Sequence, residues 1–351
     1  MMNPTRVATL LIAAILSGCA VYATFDPPAV DPIGAPSKAA GATPEISQAA
    51  PATGGVSNAP AIFAEMAAPA APAAAVAPPP ATNQFAIQPR GRAYLFRGAL
   101  GPIFSRGMDR LTDRIEQAGV TASVHEFTMC HLIAEDAIRD YRLDPAPITL
   151  IGHSMGGLCA LKFAEILQAE NIPVSLVVTV DPAHISPSVP LNVERYINVF
   201  LSNSILGGGD VKPTDGYQGH YASFDLSEHD DITHINIDKM DSIHEQLVTK
   251  ILQLTATPVK AEGEPVPIRY VVPADATIEL WDSGMPVFAR SGDTLQMLAA
   301  FYHVPLWSLT QINQMPDSAP LERGQRVIVP RHLVPRAPKT GAVVRQSPSK
   351  P

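Results

Sequence analysis

The stretch Ile148-Thr-Leu-Ile-Gly-His-Ser-Met-Gly-Gly-Leu158 decides the fold class. Four residues of strong strand propensity run into Gly152-His153-Ser154-Met155-Gly156, and a helix-like segment follows. A serine on so sharp a strand-to-helix turn is held in strained backbone geometry, and the residues two before and two after it crowd together. Glycines at 152 and 156 remove that crowding, and Gly157 lets the helix approach the strand. Ser154 is then left exposed above a sheet, at the start of a helix whose N-terminus carries positive partial charge. This is the setting a nucleophilic serine needs. A bare G-x-S-x-G is common by chance, so the strand and helix on either side carry the weight.

Working outward, strand-like and helix-like runs alternate from about residue 90 to 255. Strands are predicted over 93–96, 122–127, 148–151, 175–180, 196–201 and 232–237. Helices are predicted over 108–118, 132–141, 158–169 and 243–254. That alternation predicts an α/β fold with a mostly parallel sheet flanked by helices.

The order of elements and the serine turn resemble a minimal α/β-hydrolase of the serine esterase or lipase kind. The first two strands of larger members and a long cap insertion are missing. The resemblance implies a triad in the chain order nucleophile, acid, histidine. Asp181, in Val178-Thr-Val-Asp-Pro-Ala183, ends the strand after the serine turn and resembles the acid of the pancreatic-lipase branch. Asp210 and Asp215 are the alternatives, one strand later. For the base, the reading favours His244. Ser242-Ile-His-Glu245 is a capping-box pattern that puts it in the first turn of the last helix. His234 falls inside the predicted strand 232–237, where it is expected to pack or hydrogen-bond. His220 and His229 fall in a polar loop, His153 reads as a structural neighbour of the serine, and His184 is the weaker rival. The resemblance places the oxyanion hole at the Met155 N–H and at Gly98 or Ala99, in the loop after the first strand. Arg97 reads as an ion-pair residue or a contact to an anionic group.

A second resemblance lies at 286–331. Arg290-Ser-Gly-Asp-Thr-Leu295, Leu306-Trp-Ser-Leu309, Gln311-Ile-Asn313 and Gly324-Gln-Arg-Val-Ile-Val-Pro330 are similar to a LysM domain. It implies a βααβ module that binds N-acetylglucosamine chains of peptidoglycan, with contacts around Gly292, Asp293, Thr294, Leu295 and Asn313. Leu295, Leu298, Leu309 and Ile312 would form its core. Val287 and Ala289 depart from the family's pattern. Residues 256–285 read as a linker with a possible strand at Arg269–Val272, so the two modules are expected to be independent.

The N-terminus carries Arg6, an apolar run Val7–Leu16 too short to span a bilayer, and Leu16-Ser-Gly-Cys19. That end resembles a lipoprotein signal over residues 1–18, with lipidation at Cys19 and an outer-membrane anchor facing the periplasm. The 46% hydrophobic content is inflated by alanine in segment 19–89, as in Ala67-Ala-Pro-Ala-Ala-Pro-Ala-Ala-Ala75. So few large apolar side chains cannot offset chain entropy, and a disordered linker is expected, reaching roughly 200 Å at ~3.1 Å per residue. The tail 332–351 is expected to be disordered. The net charge of −8, with no basic cluster, argues against nucleic acid. No metal-ligand spacing, nucleotide loop or cofactor motif is present in the sequence. An oxidising periplasm permits a disulfide between Cys130 and Cys159, but Cys159 falls in the helix after the serine, where a buried free thiol is the commoner outcome, and no bridge is predicted. The sequence thus points to a cell-envelope serine hydrolase acting on an ester or thioester of a small or lipid substrate. A non-catalytic tether between outer membrane and peptidoglycan is an alternative. A peptidoglycan-deacetylating esterase is another.

Overall fold

The computed structural model describes residues 89–256 and 263–334. The signal segment, Cys19, the Ala/Pro-rich segment and the tail beyond 334 lie outside the described residues. Seven strands form one sheet in the order β2-β1-β3-β4-β5-β6-β7: β1 (Arg92–Arg97), β2 (Thr121–Glu126), β3 (Ile148–His153), β4 (Leu176–Val180), β5 (Arg195–Phe200), β6 (His220–Asp225) and β7 (Ile268–Val271). Every pairing in it is parallel.

Parallel sheets need cover on both faces, and the side-chain alternation supplies two cores. Ala93 and Leu95 of β1 join one core, together with Met108, Leu111 and Ile115 of helix α1 (Arg106–Gln117). Tyr94 and Phe96 point the other way, to α2 (Cys130–Leu143) and α3 (Met155–Ala169). The period-2 strand and the 108/111/115 helical spacing give the same division. Helix α4 (Asp241–Ala256) covers the first face through Ile243, Leu247 and Ile251.

Two elements differ from the sequence expectation. Residues 232–237 are not a strand. Thr233 N–H donates to Asn236 Oδ1 at 2.7 Å, and Asn236 N–H returns to the Thr233 carbonyl at 3.1 Å. Local side-chain bonds of this kind outcompete a ladder. The missing strand is β6, His220-Tyr-Ala-Ser-Phe-Asp225, buried along its whole length. Its polar residues disguise it, and each finds a partner. His220 Nδ1 lies 3.0 Å from Ser283 Oγ, Ser223 Oγ accepts from Asn198 Nδ2, and Asp225 Oδ1 accepts the Ser202 and Ser227 N–H groups.

The expected linker is also largely structured. Ile268–Val271 is the seventh strand, and Trp281 and Asp282 are fully buried. They begin β8 (Trp281–Phe288), which pairs antiparallel with β9 (Arg326–His332) around α5 (Leu295–Tyr302) and α6 (Leu306–Asn313). This βααβ module is docked on the sheet, not tethered to it. Gln311 of α6 bonds both the N–H and the carbonyl of Val271, at 3.1 and 2.9 Å, which covers the open edge of β7. The Trp307 ring packs tilted against Trp281, with centroids 5.8 Å apart, and edge-on against Tyr270, 5.4 Å away. Asp282 sits in a buried cluster with Arg195, His220 and Lys250 at 3.2, 3.2 and 3.5 Å. Leu295, Leu298 and Leu309 fill the module's own core, whereas Ile312 packs against the sheet. On the opposite face of the sheet, Cys130 and Cys159 form a disulfide with their Cα atoms 5.4 Å apart. The sequence did not predict this bridge. The packing of α2 on α3 brings the two residues together.

Candidate active site

Strand β3 delivers Ser154 to the C-terminal edge of the sheet. Its φ of 57° and ψ of −122° are a backbone geometry that side chains rarely adopt, as the turn demands. A Cβ on Gly156 would overlap the Phe96 carbonyl, and one on Gly152 would overlap the Gly156 carbonyl. Only glycine closes this turn. Ser154 N–H donates to the Val180 carbonyl at 3.0 Å, which locks the serine to the end of β4.

Asp181 follows immediately after β4 and is wholly buried. Its Oδ1 accepts the Leu201 and Gly208 N–H groups at 3.0 and 2.7 Å. Gly208 has φ 87°, so the Gly207-Gly208-Gly209 run supplies a backbone donor where a side chain would be strained. The other oxygen, Oδ2, lies 2.6 Å from His234 Nδ1, and His234 Nε2 lies 3.1 Å from Ser154 Oγ. Burial alone would raise the Asp181 carboxyl. The hydrogen bonds from His234, from the Leu201 N–H and from Ser204 outweigh it and hold the carboxyl below its ordinary value.

The histidine that completes this chain is His234, not His244. Helix α4 does carry His244 in its first turn, but its ring faces inward. Its Nε2–H donates to the Asp238 carbonyl at 2.8 Å, and burial pushes its pKa down to about 4. It ties the helix to the turn before it. Asp238 is itself pushed up to about 6 by burial, with Oδ2 accepting the Gly107 N–H at 2.9 Å. Reading 232–237 as a strand placed His234 in a sheet. The run Ser227, Asp230, Asp231 before it, rich in turn formers, was the signal for a loop.

The other candidates fall elsewhere. Asp210 pairs with Arg269, Asp215 is exposed, and His184 is exposed beside the Ser204 carbonyl. Arg97 is an ion-pair residue held by Asp109 and Glu126. Met155 begins α3, so its N–H is among the helix donors without an intrahelical acceptor. Of the two residues after β1, the Gly98 N–H is taken by Ser105 Oγ at 3.0 Å, which leaves Ala99 as the second candidate donor. Gly98 still matters sterically, since a Cβ there would stand 2.7 Å from Ser154 Cβ.

In the C-terminal module the nominated sugar-binding side chains have internal work. Thr294 Oγ1 caps α5 by accepting the Met297 N–H at 3.2 Å, Asp293 Oδ2 accepts the Arg290 N–H at 2.8 Å, and Leu295 is buried. Asn313 bonds both the carbonyl and the N–H of Ile328, at 2.8 and 2.7 Å. Gly292 has open space around it.

Among the described residues no cluster of three metal-ligating side chains occurs, and no helix is long and apolar enough to cross a membrane. The sequence profile of the LysM domain matches residues 289–330. No curated protein matches the chain. Among solved structures, one likeness is to a Xanthomonas campestris protein assigned to the α/β hydrolase superfamily. It has 16% identity over 47% of this chain and 98% of that one, with a TM-score of 0.30. Another is to an esterase domain from Rhodothermus marinus, with 16% identity over 48% and 88%, TM-score 0.34. A third is to metagenome-derived lipolytic enzymes, with 12% identity over 47% and 95%, TM-score 0.31. The chain carries a LysM domain at residues 289–330, docked on an all-parallel seven-stranded sheet.

Proposed function

We propose that the protein is a serine hydrolase of the cell envelope that cleaves a carboxylic ester or thioester through an acyl-enzyme. The observation that carries this is the continuous chain Ser154 Oγ, His234, Asp181, with separations of 3.1 and 2.6 Å, at a strained strand-to-helix turn. Asp181 accepts a hydrogen bond from His234 Nδ1–H, which leaves Nε2 as the acceptor facing the serine. Ser154 Oγ attacks the acyl carbon as its proton passes to Nε2. The Met155 and Ala99 N–H groups are the proposed donors to the oxyanion. The imidazolium then protonates the leaving group, and the acyl-serine is hydrolysed by the reverse sequence with water.

The LysM domain supports attachment to N-acetylglucosamine chains of peptidoglycan. Leu16-Ser-Gly-Cys19, outside the described residues, supports a lipid anchor at Cys19 and placement at the outer membrane, facing the periplasm. The complete Ser154–His234–Asp181 chain counts against a non-catalytic tether. The docking of α6 on β7 favours a second reading, an acetyl ester carried by the glycan itself, because it fixes the serine relative to a bound wall strand. Two assays separate the readings: hydrolysis of soluble p-nitrophenyl esters of graded chain length, and acetate release from O-acetylated sacculi. Hydrolysis of neither, by folded protein, would remove both.

A further inference from the structure

We infer that His153 is a positioning residue that couples the oxyanion loop to the base loop, an inference that rests on the serine-hydrolase reading above. His153 is buried beside the nucleophile. Its Nδ1 lies 2.7 Å from Ser105 Oγ, and its Nε2 lies 2.9 Å from the backbone carbonyl of His234. A carbonyl only accepts, so Nε2 carries a proton. Burial, then the neighbouring His234, push the ring's pKa down to about 3, so it has no second proton near neutral pH. Nδ1 is therefore an acceptor, and Ser105 donates to it. The Ser105 oxygen in turn accepts the Gly98 N–H at 3.0 Å.

The direction of every bond is thus fixed. Gly98 N–H donates to Ser105, Ser105 O–H donates to His153 Nδ1, and His153 Nε2–H donates to the His234 carbonyl. The relay begins in the loop after β1, which carries the proposed oxyanion donor. It passes through the residue before the nucleophile and ends on the main chain of the base. His234 sits in a loop without regular secondary structure, and its side chain is held by Asp181 alone on the Nδ1 side. The bond to its carbonyl fixes the main chain from which that side chain hangs. The two imidazoles also pack with centroids 4.8 Å apart. A neutral His153 lets His234 take up the serine proton without a cation at its side.

The test uses the full chain and three variants, with active sites counted by fluorophosphonate titration. An asparagine amide reaches the place of Nδ1 but not that of Nε2, so His153→Asn keeps a partner for Ser105 and drops the bond to His234. Its kcat per active site should fall about 100-fold, the scale of a small misplacement of a catalytic group, with KM within about threefold. A glutamine amide reaches the place of Nε2, so His153→Gln should recover kcat to within roughly tenfold of wild type. Ser105→Ala supplies an independent break of the same relay, should either His153 variant fail to fold, and should lower kcat about tenfold at little changed KM. Wild-type kcat in folded His153→Asn or Ser105→Ala overturns the relay, as do equal losses in the Asn and Gln variants, which would mark packing alone. Ser154→Ala separates the two levels. If it keeps activity, the hydrolase reading fails and the relay with it. If it is dead while His153→Asn is normal, only the relay fails.

Discussion

Asp181→Asn is the sharpest perturbation of the proposed triad, because the surroundings dictate which way the new amide must face. The Oδ1 position accepts two backbone N–H groups, from Leu201 and Gly208. An NH2 group there would face two donors in a buried site, which costs about 1–3 kcal/mol for each bond lost. The amide oxygen therefore stays on that side, and the NH2 turns toward His234 Nδ1. Now Nδ1 must accept, the proton moves to Nε2, and Nε2 points a hydrogen at Ser154 Oγ. The serine then has no acceptor for its proton. Wrong-tautomer substitution in a triad lowers kcat about 10⁴-fold, roughly 5.5 kcal/mol at about 1.36 kcal/mol per tenfold. The assay is initial-rate hydrolysis of a p-nitrophenyl ester, with circular dichroism as the check on folding. A folded Asp181→Asn protein within tenfold of wild type would refute the reasoning.

Three further outcomes follow from the packing. Asp282→Ala takes the shared carboxylate from Arg195, Lys250 and His220 in a buried cluster, and should cost about 3–5 kcal/mol in urea denaturation; a loss below about 1 kcal/mol would contradict that placement. Deleting 286–351 strips Trp307 and Gln311 from Trp281, Tyr270 and the β7 edge, so the catalytic domain should melt at least about 5 °C lower. An unchanged melting temperature would restore the independent modules that the sequence implied. His244 is held neutral in the fold, at about 4 against an ordinary 6.5, so it stabilises fully above pH 6.5 and that contribution is lost as pH falls toward 4. Asp238, raised from 3.8 to about 6, has the opposite sign over nearly the same range, so the histidine is read by difference. His244→Gln keeps a donor for the Asp238 carbonyl and should flatten the acid side of the stability curve by about 3 kcal/mol relative to wild type. Parallel curves for the two proteins would contradict this.

The serine turn and Asp181 were legible because each is a local pattern: a buried strand, then a turn whose residue types the backbone requires. The base was not. Ile232, Ile235 and Ile237 give 232–237 the look of a strand, while the Thr233–Asn236 bonds that break it are visible only in three dimensions. The true strand β6 was hidden by His220, Ser223 and Asp225, whose burial depends on partners in β5, in the loop after it and in β8. His244 was attractive because a helix start can be read from Ser242 to Glu245. The helix does begin there, at Asp241, but the direction a first-turn ring faces is set by packing. The docking of the LysM module rests on Gln311 and Trp307, two residues that in sequence look like ordinary helix surface.

The central claim is that Ser154 is activated by His234. Fluorophosphonate labelling of wild type, Ser154→Ala, His234→Ala and His244→Gln tests it in one experiment. The account predicts rapid labelling of wild type and His244→Gln, none of Ser154→Ala, and labelling of His234→Ala slowed at least about 10³-fold. Labelling of folded Ser154→Ala, or a normal rate in His234→Ala beside a dead His244→Gln, would contradict it.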